Sequence, residues 1–298
     1  MTVHLAQLRA FVAVLDEGGF GAAADALGVS QSAVSHAVAA LERALKAPVL
    51  LRQGRPRPTA FGERILAHAR AAVAAAVAID DLVALRDGVP RGALRLGAPP
   101  SVCQGLLPGL LNRWKADFPE VEITVFEGED DEVAGWLAGS AVELAVLVDP
   151  PPGTGVVVGV DAFHALLRRD HPLAGEASIS VTDLEDDPFL LSRGGCESHV
   201  REVFRQGRAP FAPAHRIREM GTLLAMVRSG VGVTLVPGLT AAMLDERLVL
   251  VPLDQRVTRR LVLSGPPGRP WHPAAEALVA AAHPLDAQPS PASAHPPA

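Results

Sequence analysis

At 298 residues, with 49% hydrophobic and 20% charged residues, the chain can bury two or three cores and has the balance of a soluble globular protein. Two cysteines, Cys103 and Cys196, exclude a disulfide scaffold, and the longest apolar runs, such as 71–79, are too short and too alanine-rich to span a bilayer. The net charge of −6 excludes a generally basic nucleic-acid coat, but residues 1–58 carry +2 and the remainder −8, an asymmetry that hints at a nucleic-acid module.

Asp16-Glu17 and the lack of a small-residue cleavage site argue against a secretory leader, so a cytoplasmic location is expected. Leu5, Leu8, Phe11, Val12 and Leu15 recur at helical spacing, and Gly18-Gly19 ends that first helix. A short second helix over 21–27 stops at Gly28. A third begins after the N-cap Ser30 and runs over 31–45, with Val34, Val38, Leu41 and Leu45 on one face. Val49-Leu50-Leu51 reads as a strand, and Gly54, Pro56 and Pro58 force a turn after it.

Thr59 caps a long helix over 61–87 in which Ile65, Ala69, Ala72, Ala76, Ile79 and Val83 are spaced as the seam of a two-helix coil, the plainer alternative being an ordinary core helix. From Gly88 strands and helices alternate. Strands are expected at 94–96, 121–126, 144–148, 156–160, 165–168, 189–191, 233–236, 249–250 and 261–263. Helices are expected at 102–118, 131–137, 199–205, 222–229, 241–246 and 274–282. That alternation predicts a parallel, doubly wound α/β body behind a helical N-terminal domain. Residues 284–298, rich in Pro, Ala and Ser, are expected to be disordered.

Two helices joined by Gly28-Val29-Ser30 meet the requirements of a helix-turn-helix at about 20–39. The first is mostly alanine, which allows close crossing. The second opens with Gln31-Ser32-Ala33-Val34-Ser35-His36, residues able to pair with base edges or phosphates in a major groove. Arg52, Arg55 and Arg57 follow as a basic hairpin suited to the flanking backbone. The plainer alternative is a helical bundle with a solvated polar helix start.

The runs Leu8–Val14, Gly19-Phe20, Leu27–Ser35, Leu41-Glu42, Gly54-Arg55 and Gly62 closely resemble the N-terminus of LysR-type regulators. Similar residues continue through 94–97, 106–108, 118–121, 170–173, 183–184 and 227–237, so the resemblance covers about residues 3–265. It implies a winged helix-turn-helix (1–60), a dimerising linker helix (61–88) and a two-lobed α/β effector domain like periplasmic binding proteins (89–283). Lobe I is expected at about 91–161 plus 266–283, and lobe II at 162–265. It further implies homodimers or tetramers on an interrupted palindrome of promoter DNA, a small-molecule co-inducer, RNA polymerase as a further partner, and no enzyme activity. Carried over by position, Gln31, Ser32, Ser35 and His36 face bases or phosphates, with Arg52, Arg55 and Arg57 around the wing. His36 stands where arginine is frequent, Gly21 where Ser or Thr often meets phosphate, and Glu143 where Asp is usual.

The effector is expected in the crevice at strand ends. Ala98-Pro99-Pro100-Ser101-Val102-Cys103 opens a helix, so its backbone N–H groups and the Ser101 hydroxyl form a candidate anion site, unless Ser101 only caps the helix. Asp149, Cys196, Met220 and Thr222 are expected to line the same cleft. Cys196 lies near where the peroxide-sensing branch of the family has its reactive cysteine. Arg193 and a helix N-terminus would lower its pKa, and Cys103 is expected to face it across the cleft as a redox or soft-ligand partner. A small-molecule-binding protein without DNA function, or a plain dimeric scaffold, is the remaining alternative. Enzyme motifs are missing: Gly230-Val231-Gly232 precedes its strand, and His164, His171, His199 and His215 lack metal-ligand spacing. No metal or cofactor is expected.

Overall fold

The computed structural model describes residues 2–51, 53–84 and 89–282. Arg52, residues 85–87 of the expected long helix and the residues from 283 onward lie outside them. No helix among the described residues is long and apolar enough to cross a membrane.

The head consists of α1 (Leu5–Asp16), α2 (Phe20–Leu27), α3 (Gln31–Leu45) and a two-stranded wing, β1 (Leu50–Leu51) with β2 (Arg57–Pro58). Phe11, Val14, Ala23, Ala24, Val34, Val38 and Leu41 bury one core. The small Ala23 and Ala24 let α2 lie close to α3. Gly28 ends α2 at φ 64°, a left-handed cap that favours glycine, and Val29 N–H reaches back to the Ala24 carbonyl. Ser30 then caps α3, its hydroxyl accepting from Ala33 N–H at 3.2 Å. The Glu42 carboxylate accepts N–H groups of Val49 and Leu50, which ties the wing to α3.

Thr59 caps α4 (Ala60–Ala84) as expected, accepting from Gly62 N–H at 2.9 Å. The predicted seam on α4 divides. Ile65 and Ala69 belong to the head's own core, whereas Ile79, Leu82 and Val83 are exposed.

The body is not a parallel doubly wound sheet. One curled, mixed sheet of seven strands runs through both lobes. In lobe I, β3 (Gly92–Ala98) lies parallel to β4 (Val121–Glu127) and β5 (Leu144–Val148). The 13-residue β6 (Val156–Arg168), expected as two strands, passes unbroken into lobe II, where it pairs antiparallel with β9 (Thr234–Pro237) and β10 (Leu248–Pro252). The antiparallel β11 (Thr258–Ser264) pairs with β5 and the first half of β6. Residues 258–264 therefore belong to lobe I, and the chain returns near Val257 rather than at 266. Alternation along the sequence could not reveal this, because strand direction depends on how each connection crosses the sheet.

The helix expected over 102–118 breaks at Leu106 into α5 (Pro100–Gly105) and α6 (Leu107–Asp117), and α7 (Asp130–Ala138) and α10 (Pro273–Ala281) complete lobe I. Its core centres on Leu96, Leu110, Trp114 and Leu144. Lobe II adds β7 (Leu190–Ser192) with the unforeseen parallel partner β8 (His215–Ile217), α8 (Glu197–Gly207) and α9 (Met220–Arg228). The segment expected as a helix over 241–246 is a 3-10 helix at Gly238–Met243.

Candidate functional site

At the head, Gln31, Ser32 and His36 are exposed and Ser35 is half-buried, all in the first two turns of α3. Ser32 also shares a 2.9 Å hydrogen bond with Ser30 across the cap. Arg57 is exposed on β2. The exposed Arg55 has its guanidinium against the backbone of Gly18, where a Cβ would fall 2.8 Å from it. Helix start and wing thus present polar and cationic groups on open surface, as a groove-reading helix with a backbone-contacting wing requires.

The second site lies between the lobes. A cavity of about 20 Å³ is lined by Ser101, Glu129, Asp130, Cys196, Met220 and Arg259, among others. That is room for about one water molecule, far below the several hundred Å³ of an ordinary ligand pocket. The lobes are closed on each other.

The centre of this closure is an ion pair at the lobe crossing. Arg259 on β11 and Asp161 on β6 are cross-strand partners, 1% and 7% exposed. The Arg259 Nη2 donates to Asp161 Oδ2 at 2.9 Å and to Ser101 Oγ at 2.7 Å, and Asp161 also accepts Leu239 N–H at 3.2 Å. One guanidinium therefore ties lobe I's α5 to the crossing strands. Ser101 is not the helix cap, since Pro99 is the N-cap; its Oγ accepts from Arg259, which leaves its O–H free to donate.

Across the cleft, Gly194 and Gly195 of lobe II abut the acidic start of α7 in lobe I. A Cβ on either would collide with the carboxylate of Glu129 or Asp130, respectively. Burial pushes both carboxyls above their ordinary values. Glu129 is raised further by Asp130, and a Gly195 N–H opposes the shift. Asp130 is pulled down by Arg259 and His199 and pushed up by Asp131 and Asp149, with burial the largest effect. A carboxyl raised only in the fold binds its proton more tightly there than in the unfolded chain. Stability is therefore gained as pH falls through the raised value and lost as pH rises through it. Asp130→Asn is expected to stabilise the protein at pH 7, because it removes the charge that burial disfavours. It should also flatten the dependence of melting temperature on pH above the ordinary carboxylate range, and an unchanged slope in a thermal scan would refute this.

Two polar contacts close the rim. His199 Nε2 and Asp149 Oδ2 are 2.8 Å apart, with the imidazole stacked on Phe163, and Arg218 donates to Glu132 at 2.7 Å. Of the expected cleft residues, Pro100, Ser101, Cys196 and Met220 do come together. Val102 is instead buried in the lobe I core, because its position in the short α5 points inward. Cys103 packs against that core and donates to the Ala98 carbonyl at 3.4 Å, so it does not meet Cys196 in the cavity. Asp149 lies at the rim, and Thr222 is exposed because α9 starts at Met220 and turns it outward.

The sequence reading missed Arg259, Asp161, Glu129, Asp130 and Arg218. Arg259 carried a signal, since it shares strand phase with the buried Leu261 and Leu263. Cys196 departs from the expected activation, and Cys103 is raised as well. Burial pushes Cys196 up to about 12 and Cys103 up to about 12, and the charge lowering Cys196 comes from Arg259 rather than Arg193. Thiolate is therefore scarce at neutral pH. Iodoacetamide at pH 7.5 should label Cys196 far more slowly than an exposed thiol; mass spectrometry showing full labelling within minutes would contradict that burial. Among the described residues, no group of three His, Cys, Asp or Glu side chains could hold a metal ion.

Comparisons with known proteins agree with the division into a helix-turn-helix head and an effector-binding body. Residues 5–63 match the bacterial regulatory helix-turn-helix protein, lysR family, and residues 87–285 match the LysR substrate binding domain. The uncharacterized HTH-type transcriptional regulator YvbU of Bacillus subtilis is 30% identical over 88% of this chain and 91% of its own. A probable hydrogen peroxide-inducible genes activator of Mycobacterium avium is 34% identical over 78% of this chain and 77% of its own. Among solved structures, a full-length OxyR variant from Pseudomonas aeruginosa superposes with a TM-score of 0.73 at 23% identity, covering 94% of this chain and 97% of that one. Full-length CbnR complexed with its target DNA gives 0.66 at 21% identity, covering 94% and 100%. With a DNA-reading head, a two-lobed body and matches spanning nearly all of its described length, the chain belongs to the LysR family of DNA-binding transcriptional regulators with an effector-binding domain.

Proposed function

We propose that a small molecule entering between the lobes controls how this protein sits on promoter DNA. The observation that carries this reading is the closed cleft. Its cavity of about 20 Å³ admits no metabolite until the lobes part, so occupancy and lobe geometry are necessarily linked. Ser101, Glu129, Asp130, Cys196, Met220 and Arg259 are the residues proposed to meet the effector. Gln31, Ser32, Ser35 and His36 are proposed to meet bases or phosphates, with Arg55 and Arg57 on the backbone.

The test begins with selection of duplexes from a random pool by the full chain. A metabolite library then follows, scored both by thermal shift and by footprint on the selected duplex. A compound that raises the melting temperature and alters the footprint supports the proposal. Failure to select any sequence, or binding that ignores salt, would sink its DNA half.

Dimerisation through α4 is part of the same proposal. Ile79, Leu82 and Val83 are 62%, 53% and 62% exposed at the end of a helix whose first half is committed to its own head. A second copy of α4 would cover them, and pairs of dimers on an interrupted palindrome, beside RNA polymerase, complete the assembly. Leu82→Glu with Val83→Glu is expected to yield monomers at micromolar concentration, with a melting temperature that no longer rises with protein concentration. Sedimentation velocity reads the outcome, and an unchanged oligomer would refute the interface. The relatives named as hydrogen peroxide-inducible activators suggest an oxidant as the signal, but the raised thiols of Cys103 and Cys196 count against that reading.

A further inference from the structure

The body is also tied to its own head, at the end of lobe I away from the cleft. Asp16, the last residue of α1, accepts from Arg95 Nη1 at 3.2 Å and is paired with Arg70 of α4. Arg95 sits in β3 and is gripped by Glu143. Its Nη2 reaches Oε1 at 2.7 Å, and its own backbone N–H donates to Oε2 at 2.8 Å. The four side chains are between 14% and 32% exposed, so solvent screening is reduced. A second tie lies nearby. His272 of the body, 5% exposed, has Nε2 at 2.7 Å from Asp81 of α4. Its Nδ1 accepts Ala274 N–H, which leaves Nε2 as the protonated nitrogen that donates.

The location of these residues matters more than their number. Strands β3 and β5 are parallel neighbours. Each has one end at the head and the other at the cleft. Arg95 lies on β3, which runs into Pro99, Pro100 and Ser101, and Ser101 is held by Arg259. Glu143 directly precedes β5, which runs into Asp149, the partner of His199 in lobe II. The interlobe Asp149–His199 contact and, within lobe I, the Ser101–Arg259 contact at the lobe crossing are thus each about one strand length from the group that holds the head.

We propose that Arg95 is a positioning residue that, gripped by Glu143 and bound to Asp16, carries the state of the interlobe cleft to the DNA-reading head through β3 and β5. This inference rests on control by the cleft, as proposed above. Lobe movement shifts the ends of two hydrogen-bonded strands together. The ion cluster turns that shift into a change in head angle, because Asp16 and Arg70 anchor α1 and α4 in common.

The experiment uses the full chain and a duplex selected by it from a random pool. Arg95→Met and Asp16→Asn are compared singly and together, with Arg95→Lys as the conservative variant. Readouts are half-site affinity, footprint length and DNA bend. Affinity for a single half-site is expected to stay within about threefold, since no base or phosphate contact is removed. Footprint and bend on the full site are expected to change in each single variant, and the double variant should change no further. Arg95→Lys, which keeps the charge but loses the fork, should fall between. Wild-type footprint and bend in both single variants, or fully additive effects, would overturn the proposal even if melting temperatures fell.

Gly195→Ala supplies the cleft arm, because its methyl must displace Asp130. It should alter the footprint in the wild-type background and lose that effect in Arg95→Met. An equal effect in both backgrounds would also overturn the route through Arg95. If Gly195→Ala is silent in the wild-type background, cleft control itself fails, while the Arg95 and Asp16 variants still decide the clamp.

Discussion

Arg259→Ala is expected to destabilise the effector domain by about 3–5 kcal/mol, because it leaves Asp161 charged, buried and without its counter-ion. The same change removes the donor held by Ser101 Oγ, so α5 loses its tie to the strands that cross between the lobes. Most of that loss comes from the orphaned carboxylate rather than from any net worth of the pair, and a compensating change can test this. Asp161→Asn added to Arg259→Met removes both charges yet keeps an acceptor for Leu239 N–H. The double variant should recover at least half of the lost stability, about 2 kcal/mol, in urea unfolding. If the double variant is as unstable as Arg259→Ala, the cost is one of packing and the electrostatic account is wrong.

Gln31→Ala is expected to weaken binding to a selected duplex by about 1–3 kcal/mol per half-site, or roughly fivefold to 150-fold, if its amide reads a base. A dimer suffers the loss twice. Arg55→Ala should behave differently. A backbone contact carries no sequence information, so its removal should weaken all duplexes alike and reduce the salt slope by about one. Fluorescence anisotropy against matched and mismatched duplexes over a salt series separates the two. Equal losses for Gln31→Ala on all sequences would reassign it from base to backbone.

The contrast between these sites explains how much could be read in advance. In the head, each decisive signal is local. Gly28 stops α2, Ser30 caps α3 two residues later, and Thr59 starts α4, so the element boundaries are close to those expected. The polar start of α3 follows its own cap, so a candidate reading face could be named residue by residue. The cleft has no such locality. Arg259 finds Asp161 across 98 positions and Ser101 across 158. Each looks ordinary alone: a strand arginine, a strand aspartate, a serine after prolines.

Proximity in sequence also misled. Val102 and Cys103 adjoin Ser101 but turn into the lobe I core, since consecutive residues of a short helix cannot share one direction. Cys196 was expected to be activated by its neighbours along the chain. Its surroundings in the fold are instead burial and three carboxylates, which outweigh the nearby Arg259 and raise its pKa.

By itself the sequence determined the family, the helix-turn-helix with its caps, the long helix behind it and the hydrophobic faces of most strands. These depend on backbone preferences and side-chain periodicity within a few residues. Only the tertiary structure decided the mixed sheet, the return of β11 to lobe I, the division of the α4 stripe between core and surface, and the buried Arg259–Asp161 pair. Those features depend on which distant strands become neighbours. A charge is paired or orphaned only once the chain has closed around it.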